Sequence, residues 1–260
     1  MTILIQHIIK STALCVGYDK HVILKDINIA VPQNSVTSIV GLNGTGKSTL
    51  LRSLCGLQKI LSGEVLLHNK SLSDFSAGEI AKQISIVLTG RGEMVSSLSV
   101  YELLAMSRTP YLHWLSGVSG HDIAIIEESA KVAGVSHLID RSLYTLSDGE
   151  FQLVGIARAL AQETPIIILD EPTAHLDMQN KLEVFSLLRK LSKSGKTILF
   201  TSHDIDLALA ISDHVLFIDK KGKVEFGETS SLIERNIPAT YFDSANIQFD
   251  KETNRFKFLL

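Results

Sequence analysis

The stretch Gly41-Leu42-Asn43-Gly44-Thr45-Gly46-Lys47-Ser48 fits the pattern G-x-x-x-x-G-K-[ST] at every specified position. It also stands where that pattern carries meaning, after a strand and opening a helix. Its glycines let the backbone curl so that successive N–H groups turn inward toward phosphate oxygens. The start of the following helix adds partial positive charge. Lys47 has the reach to meet β- and γ-phosphates, and the Ser48 hydroxyl is placed to ligand Mg²⁺. Residues Gly41 to Thr49 are therefore the expected phosphate contacts.

Upstream of the loop the pattern is that of strands: Ala13 to Tyr18, Val22 to Val31 and Ser35 to Val40, the last two separated by the turn Val31-Pro32-Gln33-Asn34. Downstream, Lys47 to Leu54 reads as helix, and Gly63 to Leu67 and Ile84 to Leu88 as short strands. From Ser99 to about Leu143 the period becomes helical. Ser99 and Glu102 make a capping box, and Ile123, Ile126 and Ala130 mark one apolar face. Strand and helix then alternate through Ile166 to Leu169, Lys181 to Leu191, Thr197 to Thr201, Ile205 to Ile211 and Val215 to Ile218. This order predicts an α/β fold with a mostly parallel sheet flanked by helices, an antiparallel N-terminal part and a helical insert near residues 91–150. We read residues 1–260 as one domain with a C-terminal extension from about residue 236, in which Asn246 to Leu260 forms a hairpin around Lys251-Glu252-Thr253-Asn254.

A second element supports the loop. Ile166-Ile167-Ile168-Leu169 is an apolar strand running into Asp170-Glu171. Such a strand delivers its C-terminal residues to the sheet rim, where ligands bind in open α/β folds. Asp170 is expected to hold Mg²⁺ through water, and Glu171 to orient or deprotonate an attacking water.

Composition excludes several classes. The net charge of −3 over 260 residues leaves no basic footprint for nucleic acid. The two cysteines, Cys15 and Cys55, lie in no metal-ligand spacing and read as buried structural thiols in a reducing compartment. Met1 to His7 lacks the cationic start and apolar stretch of a signal peptide, and no apolar run approaches the ~20 residues that span a bilayer. The expectation is a soluble cytoplasmic chain, so that any membrane process needs a separate membrane-spanning polypeptide.

Leu146-Ser147-Asp148-Gly149-Glu150, shortly before the acidic strand, resembles the L-S-G-G-Q signature of ATP-binding cassette (ABC) ATPases. The remaining order resembles that family over nearly the whole chain. Tyr18 stands where an aromatic residue stacks on adenine, Ala174-His175-Leu176-Asp177 resembles the S-A-L-D loop, and His203 in Thr201-Ser202-His203-Asp204 resembles the switch histidine. The resemblance implies the P-loop NTPase fold and a head-to-tail homodimer. ATP would lie between one subunit's phosphate loop and the other's Ser147 and Gly149. Glu171, His203 and Lys47 would be catalytic, and Asp177 would link the two sites. Arg108-Thr109-Pro110-Tyr111, with Trp114 and Gly117, is similar to a segment of the ATPases that serve iron-siderophore, haem and cobalamin importers, where it lies near the membrane subunits. The implied function is the ATP-hydrolysing subunit of a bacterial importer. It would sit on the inner face of the membrane beside permease subunits and serve a periplasmic binding protein indirectly. An exporter ATPase and a non-transport ABC ATPase are the alternatives.

Three positions depart from the family pattern. Thr89 stands where a glutamine is expected, Asp148 replaces the first signature glycine, and Glu150 replaces its glutamine. Two carboxylates beside a triphosphate are unfavourable unless they turn away. Ser147-Asp148-Gly149-Glu150 is itself a capping box, which would turn Glu150 toward its own backbone, and acids in a first helical turn gain ~0.3–1 kcal/mol from the helix dipole.

Overall fold

The computed structural model describes residues 6–88, 98–112, 117–244 and 246–259. In chain order the elements are β1 (His7–Tyr18), β2 (His21–Pro32), β3 (Val36–Gly41), α1 (Lys47–Leu54), β4 (Ser62–Leu67), β5 (Lys70–Ser71), α2 (Ala77–Ala81), β6 (Ile84–Val87), α3 (Val100–Met106), α4 (Gly120–Val132), α5 (Asp148–Ala161) and β7 (Ile166–Leu169). They continue with α6 (Met178–Lys193), β8 (Thr197–Ser202), α7 (Ile205–Ile211), β9 (His214–Ile218), β10 (Val224–Glu228), α8 (Thr229–Glu234), α9 (Ile237–Phe242), β11 (Ile247–Asp250) and β12 (Arg255–Phe258). The chain divides into two compact units, one running to Ser76 and resuming at Leu191, the other covering Ala77–Lys190.

The first unit carries the phosphate loop. Its N-terminal strands form an antiparallel sheet in the order β2-β1-β4-β5. β1 begins at His7, six residues before the Ala13 to Tyr18 stretch that reads as strand in the sequence, and Ile8 and Ile9 in this extra length are both buried. A second set of strands runs β10-β9-β3-β8. β3 pairs in parallel with β8 on one side and β9 on the other, and all six of its residues are buried. A strand covered on both faces buries residues of either kind, and Thr37 and Ser38 are buried along with Val36, Ile39 and Val40. Parallel pairing matches Val40 with Ser202 and Gly41 with Ile218, so the strands end together at the edge where the loop begins. Leu50, Leu51 and Leu54 bury one side of α1.

The tail belongs to the same unit. Its hairpin forms as expected, with Asp250 opposite Arg255. Two short helices, α8 and α9, precede it, beyond the elements that the sequence pattern predicts. The Phe249 and Phe256 rings meet at a tilt with centroids 5.0 Å apart, and the Phe256 N–H donates to Asp206 Oδ1 at 3.0 Å.

In the second unit β6 and β7 pair in parallel, with Val87 opposite Leu169. The helical insert packs α3 and α4 against α5. Ser99 and Glu102 form the expected capping box, and Ser119 with Asp122 forms a second at the start of α4. Ile126 and Ala130 are buried, but Ile123 is 38% exposed. Among the cysteines Cys55 is buried, whereas Cys15 is only half-buried, being close to the edge of its strand pairing. No helix of the described residues is long and apolar enough to cross a membrane.

Candidate functional site

The phosphate loop is built by close backbone packing. Gly46, the N-cap of α1, has φ +95°, and Gly44 has φ +79°, both in the left-handed region that glycine adopts without strain. A Cβ on Gly46 would lie 2.6 Å from Ile23 Cγ2, and one on Gly41 would lie 2.7 Å from the Ile218 carbonyl oxygen. The loop therefore curls where side chains cannot follow. Thr45 Oγ1 donates to the Leu42 carbonyl at 2.9 Å, closing the turn. Lys47 is 5% exposed, and its ammonium donates to the carbonyls of Gly41 (2.9 Å) and Leu42 (3.2 Å). The Lys47 ammonium is thus held across the loop by two of its carbonyls.

Other expected residues of the first unit surround this loop. Leu42, Asn43 and Gly44 are exposed at its crest, Ser48 is half-buried, and Thr49 is buried. Tyr18 is 48% exposed, and its hydroxyl lies 3.4 Å from Thr49 Oγ1, which brings an accessible ring to the flank of α1. His203 follows β8 directly and is exposed. The loop after it is pinned: the Asp204 N–H donates to Ser202 Oγ at 3.0 Å, and the Leu207 N–H donates to Asp204 Oδ1 at 3.4 Å. Since Ser202 is in register with Val40, His203 leaves the same strand edge as the phosphate loop.

The second unit holds the remaining candidates. β7 is fully buried, and Asp170 at its end is 4% exposed, with its N–H donating to the Val87 carbonyl at 2.9 Å. Glu171 has φ +47°, a left-handed conformation that costs a non-glycine residue about 1–3 kcal/mol. The Ala174 N–H donates to its carbonyl at 3.0 Å, so a closed turn holds the strained residue. Strain of this kind is concentrated where a side chain must be aimed. Thr89 lies outside the described residues.

At the signature, Ser147 caps α5. The Glu150 N–H donates to Ser147 Oγ at 3.2 Å, and the Ser147 N–H donates to Glu150 Oε2 at 2.7 Å. Glu150 also pairs with Arg141 at 3.3 Å. The backbone hydrogen bond from Ser147 is the main reason its carboxyl is held below the usual range. Glu150 is therefore turned back onto its own helix, as the capping pattern predicts. Ser147 and Asp148 are exposed, and Gly149 is buried. Asp177 caps α6: its Oδ1 accepts from the Asn180 N–H at 2.8 Å and its Oδ2 from Asn180 Nδ2 at 3.0 Å. Asn180 escaped the sequence reading, although the spacing Asp-x-x-Asn at a helix start signals this kind of cap.

Residues 24–174 match the ABC transporter family model. The chain belongs to that family. Among relatives of this ABC ATPase, the probable siderophore transport system ATP-binding protein YusV of Bacillus subtilis is 36% identical over 94% of this chain and 88% of its own. The iron(3+)-hydroxamate import ATP-binding protein FhuC of the same organism is 34% identical over 93% and 90%. Among solved structures, cbiO1 from Clostridium perfringens, part of the transporter complex cbiONQ, gives a TM-score of 0.78 at 31% identity, covering 90% of this chain and 93% of that one. A dimeric cassette in a post-hydrolysis state with ADP and Pi gives 0.72 at 28% identity, covering 85% and 98%. ABC cassettes of this family bind and hydrolyse ATP in transport.

The segment from Arg108 is no solvated loop in this ABC ATPase. Arg108 is 2% exposed and donates to Asp122 Oδ1 (2.9 Å), the Ala161 carbonyl (2.7 Å) and Glu163 Oε2 (2.8 Å). Tyr111 lays its ring 4.5 Å from the guanidinium and donates its hydroxyl to the Gln162 carbonyl at 3.0 Å. Hydrogen bonds from Ser119, then Arg108, pull the Asp122 carboxyl down to about 2. Trp114 lies outside the described residues, and Gly117 is exposed.

Proposed function

We propose that this ABC ATPase drives uptake of an iron chelate such as a ferric siderophore through a separate permease. The observation that carries the reading is the set of relatives named for siderophore or iron-hydroxamate transport, at 34–36% identity over more than nine-tenths of the chain. Arg108 adds support, since a buried guanidinium with three oxygen partners fixes the segment that resembles the permease-facing part of such importers.

In this reading two copies pair head to tail; that a related cassette is dimeric supports the pairing itself. Each ATP meets residues Gly41 to Thr49 and Tyr18 of one copy and Ser147 and Gly149 of the other. The glycines admit the triphosphate to backbone N–H groups, and Lys47 neutralises charge on its terminal oxygens. Ser48 and Asp170 would hold Mg²⁺. Their hydroxyl and carboxylate are oxygen ligands of the hard kind that Mg²⁺ takes, and the ion would supply charge compensation to the phosphates. Glu171 accepts the proton of the attacking water, and His203 contacts the γ-phosphate. Asp177 links the two sites. The dimer docks on the cytoplasmic face of the membrane against its permease and reaches a periplasmic binding protein only through it.

The test is reconstitution of the full chain with its co-purified permease in proteoliposomes, supplying a ferric hydroxamate, haem and cobalamin in parallel. ATP-dependent accumulation of the ferric hydroxamate is expected. Accumulation of haem or cobalamin alone, or of none of the three, overturns the cargo assignment.

A further inference from the structure

Gly149 and Asp177 stand 28 residues apart in sequence, yet one side chain joins them. A Cβ placed on Gly149 would lie 2.7 Å from Asn180 Cγ, 2.8 Å from Oδ1 and 2.9 Å from Nδ2. The Asn180 carboxamide therefore lies flat against the Gly149 backbone. The same carboxamide donates from Nδ2 to Asp177 Oδ2 at 3.0 Å, while the Asn180 N–H donates to Asp177 Oδ1 at 2.8 Å. The backbone bond fixes the start of the helix, and the side-chain bond tethers the amide, which cannot swing off Gly149 without breaking it.

We propose that Asn180 is a positioning residue that couples the signature helix to the Asp177 loop within one subunit. The proposal rests on the reading given above, in which Ser147 and Gly149 meet the γ-phosphate of the facing subunit and Asp177 links the two sites. It goes further by assigning the link to a particular contact. A shift of the α5 N-terminus on closing over phosphate presses the carboxamide, and the carboxamide moves Asp177. The contact also explains why Gly149 stays glycine although the neighbouring signature positions hold Asp148 and Glu150. An added methyl would strike a tethered amide, not a flexible side-chain end that could give way.

Four variants of the full chain test this: Asn180→Ala, Gly149→Ala, the double variant, and Ser147→Ala as a control on the parent reading. The first readout is ATP-dependent dimer formation, measured by light scattering in a Glu171→Gln background that removes turnover. The second is the Hill coefficient of steady-state hydrolysis without that background. A third is binding of a fluorescent ATP analogue to the monomer, which reports the phosphate loop alone.

Asn180→Ala is expected to raise the ATP concentration for half-maximal dimerisation about tenfold and to bring the Hill coefficient to one, with monomer binding unchanged. Because the methyl of Gly149→Ala acts through the amide, the double variant should be no worse than the worse single one, a coupling that independent sites do not show. A purely structural role would lower the melting temperature and leave the Hill coefficient alone. If Ser147→Ala impairs dimerisation while Asn180→Ala behaves as the parent, or the two substitutions multiply, the coupling role of Asn180 is overturned. If Ser147→Ala is itself without effect, the signature assignment fails instead.

Discussion

The phosphate loop and the signature both place a helix N-terminus toward expected phosphate, yet they obey different rules. The loop's two patterned glycines are held sterically: Ile23 and Ile218 sit where Cβ atoms at Gly46 and Gly41 would go. The signature keeps only one such constraint, at Gly149 against Asn180. Its other positions answer to helix capping, which accepts acids in the first turn and ties Glu150 to the Ser147 N–H. Steric dictation leaves a fixed motif, and cap chemistry leaves room to vary.

The comparison can be broken at several points. The largest effect is expected at Glu171, which belongs to neither helix start. Glu171→Gln should lower phosphate release by about 10²–10⁴-fold while binding of ATP persists. Near-parental release would remove Glu171 as the base. On the steric side, Gly46→Ala forces a methyl against Ile23 in a left-handed backbone and should destabilise the fold by about 1–3 kcal/mol. Urea denaturation would register this as a lower midpoint, and an unchanged midpoint would mean that the loop tolerates a side chain there. The smallest effect is expected on the capping side. Asp148 is exposed at a position expected to face phosphate, so Asp148→Gly should raise basal ATPase about threefold, the scale of one screened surface charge. An equal or lower rate would show that the carboxylate does not oppose closure.

Much of this architecture is written locally. The loop is legible because its glycines, lysine and serine are each required within eight consecutive residues. The boxes at Ser99 and Ser147 are legible because Glu follows three residues later in both. The box at Ser119 uses Asp122, whose shorter side chain departs from the Glu or Gln of the usual signature. The left-handed backbone of Glu171 is not local information, since nothing in its residue type favours φ +47°. The Arg108 cluster was equally hidden. Its partners Asp122 and Glu163 are 14 and 55 residues away, and only folding brings them to one guanidinium. Helices α8 and α9 have six residues each, too few for an apolar period to declare itself. The tail hairpin, marked by a polar turn between apolar residues, was legible.

The central claim is that the loop from Gly41 to Ser48, with Lys47 held across it, grips the terminal phosphates of a nucleotide. Equilibrium titration of the purified full chain with a fluorescent ATP analogue and Mg²⁺ tests it most directly. Saturable binding is predicted, weakened at least roughly tenfold by Lys47→Ala, the effect of losing about 1.4 kcal/mol. Failure to retain nucleotide at millimolar concentration, or equal binding by Lys47→Ala, would contradict it.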